Sequence, residues 1–153
     1  MGEASRPLNR DVRPQMPTRT AGYSGTPLAA KLGLKAGSHL LVRNPPDGYE
    51  RMLQPLPAGM VFVGRLSKAT DIVHIFSTRT RELEEHLVIV KKGMRADATI
   101  WASWPKKASK VATDISEDSI RDIALPMGLV DVKVCAVDDV WFGLKLVIRK
   151  ELR

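Results

Sequence analysis

The sequence predicts an α/β protein: a mostly parallel sheet in a three-layer sandwich, with a last strand running antiparallel to its neighbour. Three observations carry this. From Asp71 onward, apolar strand-like runs alternate with amphipathic helical stretches, in the order strand, helix, strand, helix, strand, strand; such alternation implies parallel strands joined by crossovers. The final two strands are separated by only about six residues, whereas a crossover back to parallel needs roughly a dozen. The chain has 153 residues, 44% hydrophobic and 27% charged, an ordinary globular composition of a length suited to one domain with a real core.

Each element has a local reason. Thr26 is placed to cap a short helix with Pro27 at its first position, where no N–H is needed. Leu28 to Leu32 propagate that helix and Gly33 stops it. His39 to Arg43 reads as a short apolar strand, broken by Asn44-Pro45-Pro46-Asp47-Gly48, because prolines do not continue a central ladder. Tyr49 to Leu53 allows one helical turn ahead of Pro55 and Pro57, and Met60 to Val63 a second strand. Asp71 to Phe76 is the third strand and the most β-like run. Leu83, Leu87, Val90 and Met94 then share one face of a helix from Arg81 to Lys92. Thr80 is expected to cap it; Glu82, Glu84 and Glu85 suit its positive end, and Lys91 and Lys92 its negative end.

Ala98 to Trp104 makes the fourth strand, with Trp101 and Trp104 on opposite faces. Pro105 to Lys110 is a basic loop. Ser116 caps the next helix, with Glu117 and Asp118 in the first turn and Ile120, Ile123 and Ala124 on one face. Pro126 and Gly128 end it. Leu129 to Val137 is the fifth strand, Asp138 to Gly143 a turn that leaves Trp141 exposed, and Leu144 to Arg149 the last strand. His74 inside its apolar strand is expected to be a hydrogen-bonded core histidine, and Cys135 a buried, inert thiol.

Residues 1–21 hold three prolines, four arginines and few apolar side chains, which reads as a flexible basic arm ahead of a single domain over 22–153. No run approaches the ~20 apolar residues needed to span a bilayer, and the N-terminus has no apolar secretory region. One cysteine excludes an internal disulfide framework, and the three histidines do not stand at metal-ligand spacing. A cytoplasmic, non-membrane protein without a metal is expected.

Four strand–helix units closed by an antiparallel strand resemble the class I methyltransferase variant of the Rossmann-like fold, in which the last strand inserts between two preceding edge strands. The resemblance covers about residues 26–150 in truncated form, since one unit alone fits between His39 and Asp71. It implies S-adenosylmethionine as cofactor, held at a glycine-rich turn after the first strand and by an acid after the second. The matching positions read Asn44-Pro45-Pro46-Asp47-Gly48 and Val63-Gly64-Arg65-Leu66. They bring one late glycine, two prolines without N–H donors and no acid, so the cofactor is disfavoured and no other is expected. A second set of strings is similar to a family of small bacterial proteins of unknown function: Gly22-Tyr23-Ser24-Gly25-Thr26-Pro27-Leu28 with Lys31-Leu32-Gly33, Trp101 to Lys107 (WASWPKK), and Leu129 to Asp138 (LVDVKVCAVD). This implies a compact bacterial domain and no particular reaction.

In open α/β sheets ligands gather at the carboxyl ends of the parallel strands. Those ends supply Asn44 and Asp47, then Ser77, Thr78 and Arg79, then Lys106, Lys107 and Ser109. Ser77 to Thr80 also precede a helix, whose free N–H groups favour an anion. The expected site is therefore an anion-binding crevice on these residues, with Tyr23, Ser24, Gly25 and Thr26 as a second candidate loop. No catalytic residue is expected. The net charge of +7 is concentrated, with +5 between Lys91 and Lys110. Its two basic clusters flank the fourth strand, roughly 23 Å long at ~3.3 Å per residue, which makes a poor single groove for nucleic acid. The reading is a ligand- or partner-binding protein whose partner is an anionic small molecule or another protein. The alternatives are an enzyme (a degenerate S-adenosylmethionine-dependent methyltransferase or a nucleotide-utilising one) and a weak nucleic-acid-binding accessory protein; a homodimer is compatible with all three.

Overall fold

The computed structural model describes residues 25–153. The basic arm expected at 1–21, and Tyr23 and Ser24 of the second candidate loop, lie outside the described residues. The elements are α1 (Leu28–Lys31), β1 (His39–Arg43), α2 (Tyr49–Met52), β2 (Val61–Phe62), β3 (Ile72–Phe76), α3 (Thr80–Gly93), β4 (Thr99–Pro105), α4 (Glu117–Ala124), β5 (Leu129–Ala136) and β6 (Trp141–Ile148). They build one six-stranded sheet in the order β2-β1-β3-β4-β6-β5. The first four strands pair in parallel, and β6 enters antiparallel between β4 and β5. This is the predicted architecture, a methyltransferase-like Rossmann-like sheet in reduced form.

The two faces of the sheet are covered differently. On one, the α3 stripe of Leu83, Leu87 and Val90 and the α4 pair Ile120 and Ala124 pack on Ile100, Ala102, Trp104, Leu144 and Leu146. Each large aliphatic side chain buried there contributes about 1.5–3 kcal/mol. On the other, Leu32, Leu40, Leu53, Phe76 and Trp101 form the core beneath α1, α2 and their loops, each helix a single turn. Trp101 Nε1–H donates to the carbonyl of Leu32 at 2.9 Å, which ties the end of α1 to β4.

The α4 cap is as expected and fully reciprocal. The Ser116 hydroxyl accepts from the Ser119 N–H at 3.1 Å, and the Ser119 hydroxyl from the Ser116 N–H at 2.8 Å. Other local expectations are corrected. Neither Thr26 nor Thr80 caps a helix with its own side chain: α1 starts after Pro27, and Thr80 is already the first residue of α3. The second strand shrinks to Val61–Phe62. The last strand begins three residues early, at Trp141, so Gly143 lies inside it rather than in a turn. A Cβ on Gly143 would meet Ser103 Oγ at 3.1 Å and the Trp101 ring at 3.2 Å; the glycine is there for close packing between strands. Trp141 is consequently half-buried, edge-on to Phe76 at 5.0 Å, not exposed. Cys135 is half-buried, and burial pushes its thiol pKa up. Among the described residues no helix is long and apolar enough to cross a membrane.

Candidate functional site

β1, β3, β4 and β5 all end at one edge of the sheet, where β6 begins. β1 and β3 are neighbours, yet the chain leaves β1 toward the β2 edge and β3 toward β4, which makes this pair the point where strand order reverses. Ligands of open α/β sheets sit at such a point. A cleft of about 770 Å³ opens on this side of the sheet, between the segment that follows β1 and the β5–β6 hairpin, bounded by Gly25 to Leu28 and Lys31, by residues of the stretch Asp47 to Pro55, and by Val137 to Val140. Its charged lining is Lys31 and Arg51 together with Asp47, Asp138 and Asp139. A second hollow of about 640 Å³ adjoins it and shares Asp47, Gly48, Arg51 and Gln54.

Each wall has a local cause. Gly48 takes φ +80°, a left-handed backbone that glycine adopts freely, and this turns the chain from Pro46-Asp47 straight into α2. The carboxylate of Asp138 accepts from the N–H groups of Val140 and Trp141 at 2.8 and 2.9 Å, which shapes the hairpin. Val137 N–H closes it onto the Trp141 carbonyl at 2.8 Å.

Behind the cleft lies a buried polar relay. Tyr49 of α2 bonds His74 Nδ1 at 2.8 Å, and His74 Nε2 bonds Ser103 Oγ at 2.7 Å. All three are buried, His74 completely. Burial holds the His74 pKa down to about 3, so the ring is neutral, and it pushes the Tyr49 phenol well above its ordinary value. The His74 ring stacks on Phe76 at 4.2 Å. The relay satisfies its own polar atoms and has no open side. His74 is thus the hydrogen-bonded core histidine expected from its apolar strand.

Several of the expected anion-binding residues are already engaged within the chain. At the start of α3 the Ser77 hydroxyl donates to Glu82 at 2.8 Å, and the N–H and hydroxyl of Thr80 donate to Asp114 at 2.7 and 3.1 Å. The Thr80 N–H holds the Asp114 carboxyl below its ordinary pKa. The helix end that would receive a foreign anion therefore receives carboxylates of this chain. Thr78 accepts through its carbonyl from the Thr113 hydroxyl at 2.7 Å, and Arg79 is exposed. Asn44, with φ +56°, donates to the Phe76 carbonyl at 3.4 Å. Lys107 and Ser109 form a 3-10 turn in which the Ser109 hydroxyl donates to the Lys106 carbonyl at 2.6 Å. Of the eight residues, Asp47 alone lines the cleft; from the second candidate loop Gly25 and Thr26 do.

Lys106 is the outlier. It is 5% exposed, and among the described residues its ammonium has no hydrogen-bond partner. It lies 5.0 Å from the centre of the Phe142 ring. Burial lowers its pKa, partly opposed by the charges of Asp138 and Asp139. Lys31 and Arg51 were missed from sequence, since only the folded topology sets them beside the β5–β6 hairpin. Asp138 and Asp139 were placed at a strand end by their position alone. The basic clusters are separated as expected: Lys91 and Lys92 end α3, at the edge opposite Lys106 to Lys110.

No protein-family model and no curated protein matches the chain. Solved structures do match in fold. A provisionally described type 11 methyltransferase from Sulfolobus solfataricus superposes with a TM-score of 0.52 at 10% identity, over 74% of this chain and 85% of that one. The B. subtilis tRNA methyltransferase TrmK gives 0.49 at 10% identity, over 79% of this chain and 63% of that one. A provisionally described methyltransferase from Thermoplasma acidophilum gives 0.45 at 10% identity, over 82% and 75%. At this identity the similarity speaks to the fold alone.

Proposed function

We propose that this chain is a small-molecule-binding domain whose ligand lies in the cleft between α1, α2 and the Val137–Val140 hairpin. The observation that carries the reading is a cleft of about 770 Å³, within the size range of ligand pockets, beside the carboxyl ends of β1 and β5 and lined by charges of both signs. Lys31 and Arg51 suit an acidic group on the ligand; Asp47, Asp138 and Asp139 suit a cationic or hydroxyl-rich part. Binding rather than turnover is favoured because, among the described residues, no imidazole or thiol lines the cleft. The hydroxyl–imidazole pairs described above, Tyr49 and Ser103 with His74, are sealed in the core. We read the chain as a bacterial cytoplasmic protein on its similarity to small bacterial proteins and its single cysteine. Native mass spectrometry of protein purified gently from its host tests the binding reading. A copurifying small molecule that is lost in Arg51→Ala supports it; a ligand-free protein, or an adduct indifferent to Arg51, counts against it.

A second reading, methyl transfer from S-adenosylmethionine, is supported by the shared fold and by the cleft's position. The residues do not fit that cofactor. Pro45 and Pro46 stand where backbone N–H groups would face it, and β2 is followed by Val63, Gly64 and Arg65, with no acid for a ribose. No step is derived through it. Isothermal titration discriminates: micromolar binding of S-adenosylmethionine favours the enzyme, and no binding removes it.

A further inference from the structure

We infer that the free edge of β5 receives an extended, acidic segment of a partner protein, which joins the six-stranded sheet as a further strand. The inference goes beyond the cleft and stands without it.

The two edges of the sheet are unequal. β2 is two residues long, whereas β5 runs for eight and pairs on one side only, with β6. The Val137 N–H bonds the Trp141 carbonyl at 2.8 Å, and alternation from there turns the N–H and C=O groups of Ala136 and Val134 away from β6. A row of such unpaired groups is a template for another strand.

The side chains select which strand fits. Lys133 stands directly opposite Lys145 of β6. Both lie on the α1/α2 side, because Leu144 and Leu146, which flank Lys145, pack on the other. Like charges so placed repel, and among the described residues neither lysine forms an ion pair. Val134, across from Leu144 and so on the α3/α4 side, is 41% exposed, and Val132 at the bulge 52%. The incoming strand therefore carries an acid against Lys133 and an apolar residue against Val134. A second copy does not supply this. Antiparallel self-pairing keeps the faces, so its β5 would bring another Lys133 to the α1/α2 side and gather four lysines with no acid from either strand. Asp131 lies on the far side, bound to Arg121 at 2.9 Å. The chain's own residues 1–24, with four arginines against two acids, also have the wrong sign. A nucleic acid would engage the lysines but not the backbone ladder.

The test uses a capped peptide of alternating Glu and Val, as long as β5, at low ionic strength, followed by backbone amide shifts and hydrogen exchange of the full chain. It is expected to shift β5 and to slow exchange at Val134 and Ala136. Lys133→Glu should weaken its binding about tenfold and admit the matching Lys–Val peptide instead. Val134→Pro, which removes an outward N–H, should also weaken it about tenfold. Lys92→Glu on α3 should change it less than about twofold. Circular dichroism confirms that each variant is folded. No shift of β5 at millimolar peptide overturns the inference, as does a Lys133→Glu or Val134→Pro protein that binds like wild type. A concentration-dependent dimer that protects Val134 and Ala136 gives the edge to a second copy, and a thymidine oligonucleotide that binds Lys133 and Lys145 more tightly than the peptide gives them to nucleic acid; either result overturns the acidic segment.

Discussion

The two faces of the sheet do different work. The α3/α4 face is closed by two amphipathic helices over a wholly apolar cluster. The α1/α2 face is thin, covered by single-turn helices, and carries the Tyr49–His74–Ser103 relay beneath it and the charged cleft beside it. In the reading proposed above, the contrast separates stability from binding. The face with long, regular helices supplies the core energy. The face with irregular cover leaves a hollow where polar groups converge.

The largest test of this division is on the thick face. Leu87→Ala, fully buried on α3, should cost about 2–5 kcal/mol in denaturant unfolding. Leu28→Ala on the thin face, half-buried, should cost about 1 kcal/mol or less; equal losses would erase the contrast. The next effect is a pH dependence that belongs to the thin face. Folded His74 is held neutral down to about pH 3, against an ordinary value of 6.5. Below pH 6.5 the unfolded chain takes up a proton that the folded chain refuses. Stability should therefore be full above that pH and fall by about 1.4 kcal/mol per pH unit below it, until near the folded value. Urea titrations between about pH 6.5 and 4.5 should show that slope, and His74→Gln should flatten it; an unchanged slope in the variant would mean that the ring is solvated.

Legibility in the sequence followed the same division. The α3 stripe and the Ser116 cap were readable because a 3.6-residue period and a three-residue capping offset are local. Gly143 misled, since a glycine after Trp141-Phe142 reads as a turn, and only the packing of Trp101 and Ser103 shows why a strand needs it there. The partner of the α3 N-terminus was hidden for a similar reason: the carboxylate that meets it, Asp114, comes from 34 residues further along the chain. The cleft was legible as a place, the strand ends, but not as a residue set, because Lys31 and Arg51 stand on single turns without a periodic signature.

Two smaller effects sharpen the comparison. Lys106→Met should raise stability by about 1–2 kcal/mol, since an unpaired buried charge is replaced by a chain of similar shape. A loss in thermal unfolding would show that the ammonium is paired in the free protein. Ser116→Ala should cost about 1 kcal/mol, the usual effect of an N-cap, and leave ligand binding at the opposite face unchanged; altered binding would couple the two faces.

The most direct test of the central claim, that the cleft of the thin face is the ligand site, is crystallographic fragment screening of the full chain. Bound fragments should cluster against Lys31, Arg51 and Val137–Val140. Fragments that gather instead at Ser77–Thr80 and Lys107–Ser109, leaving the cleft empty, would contradict it.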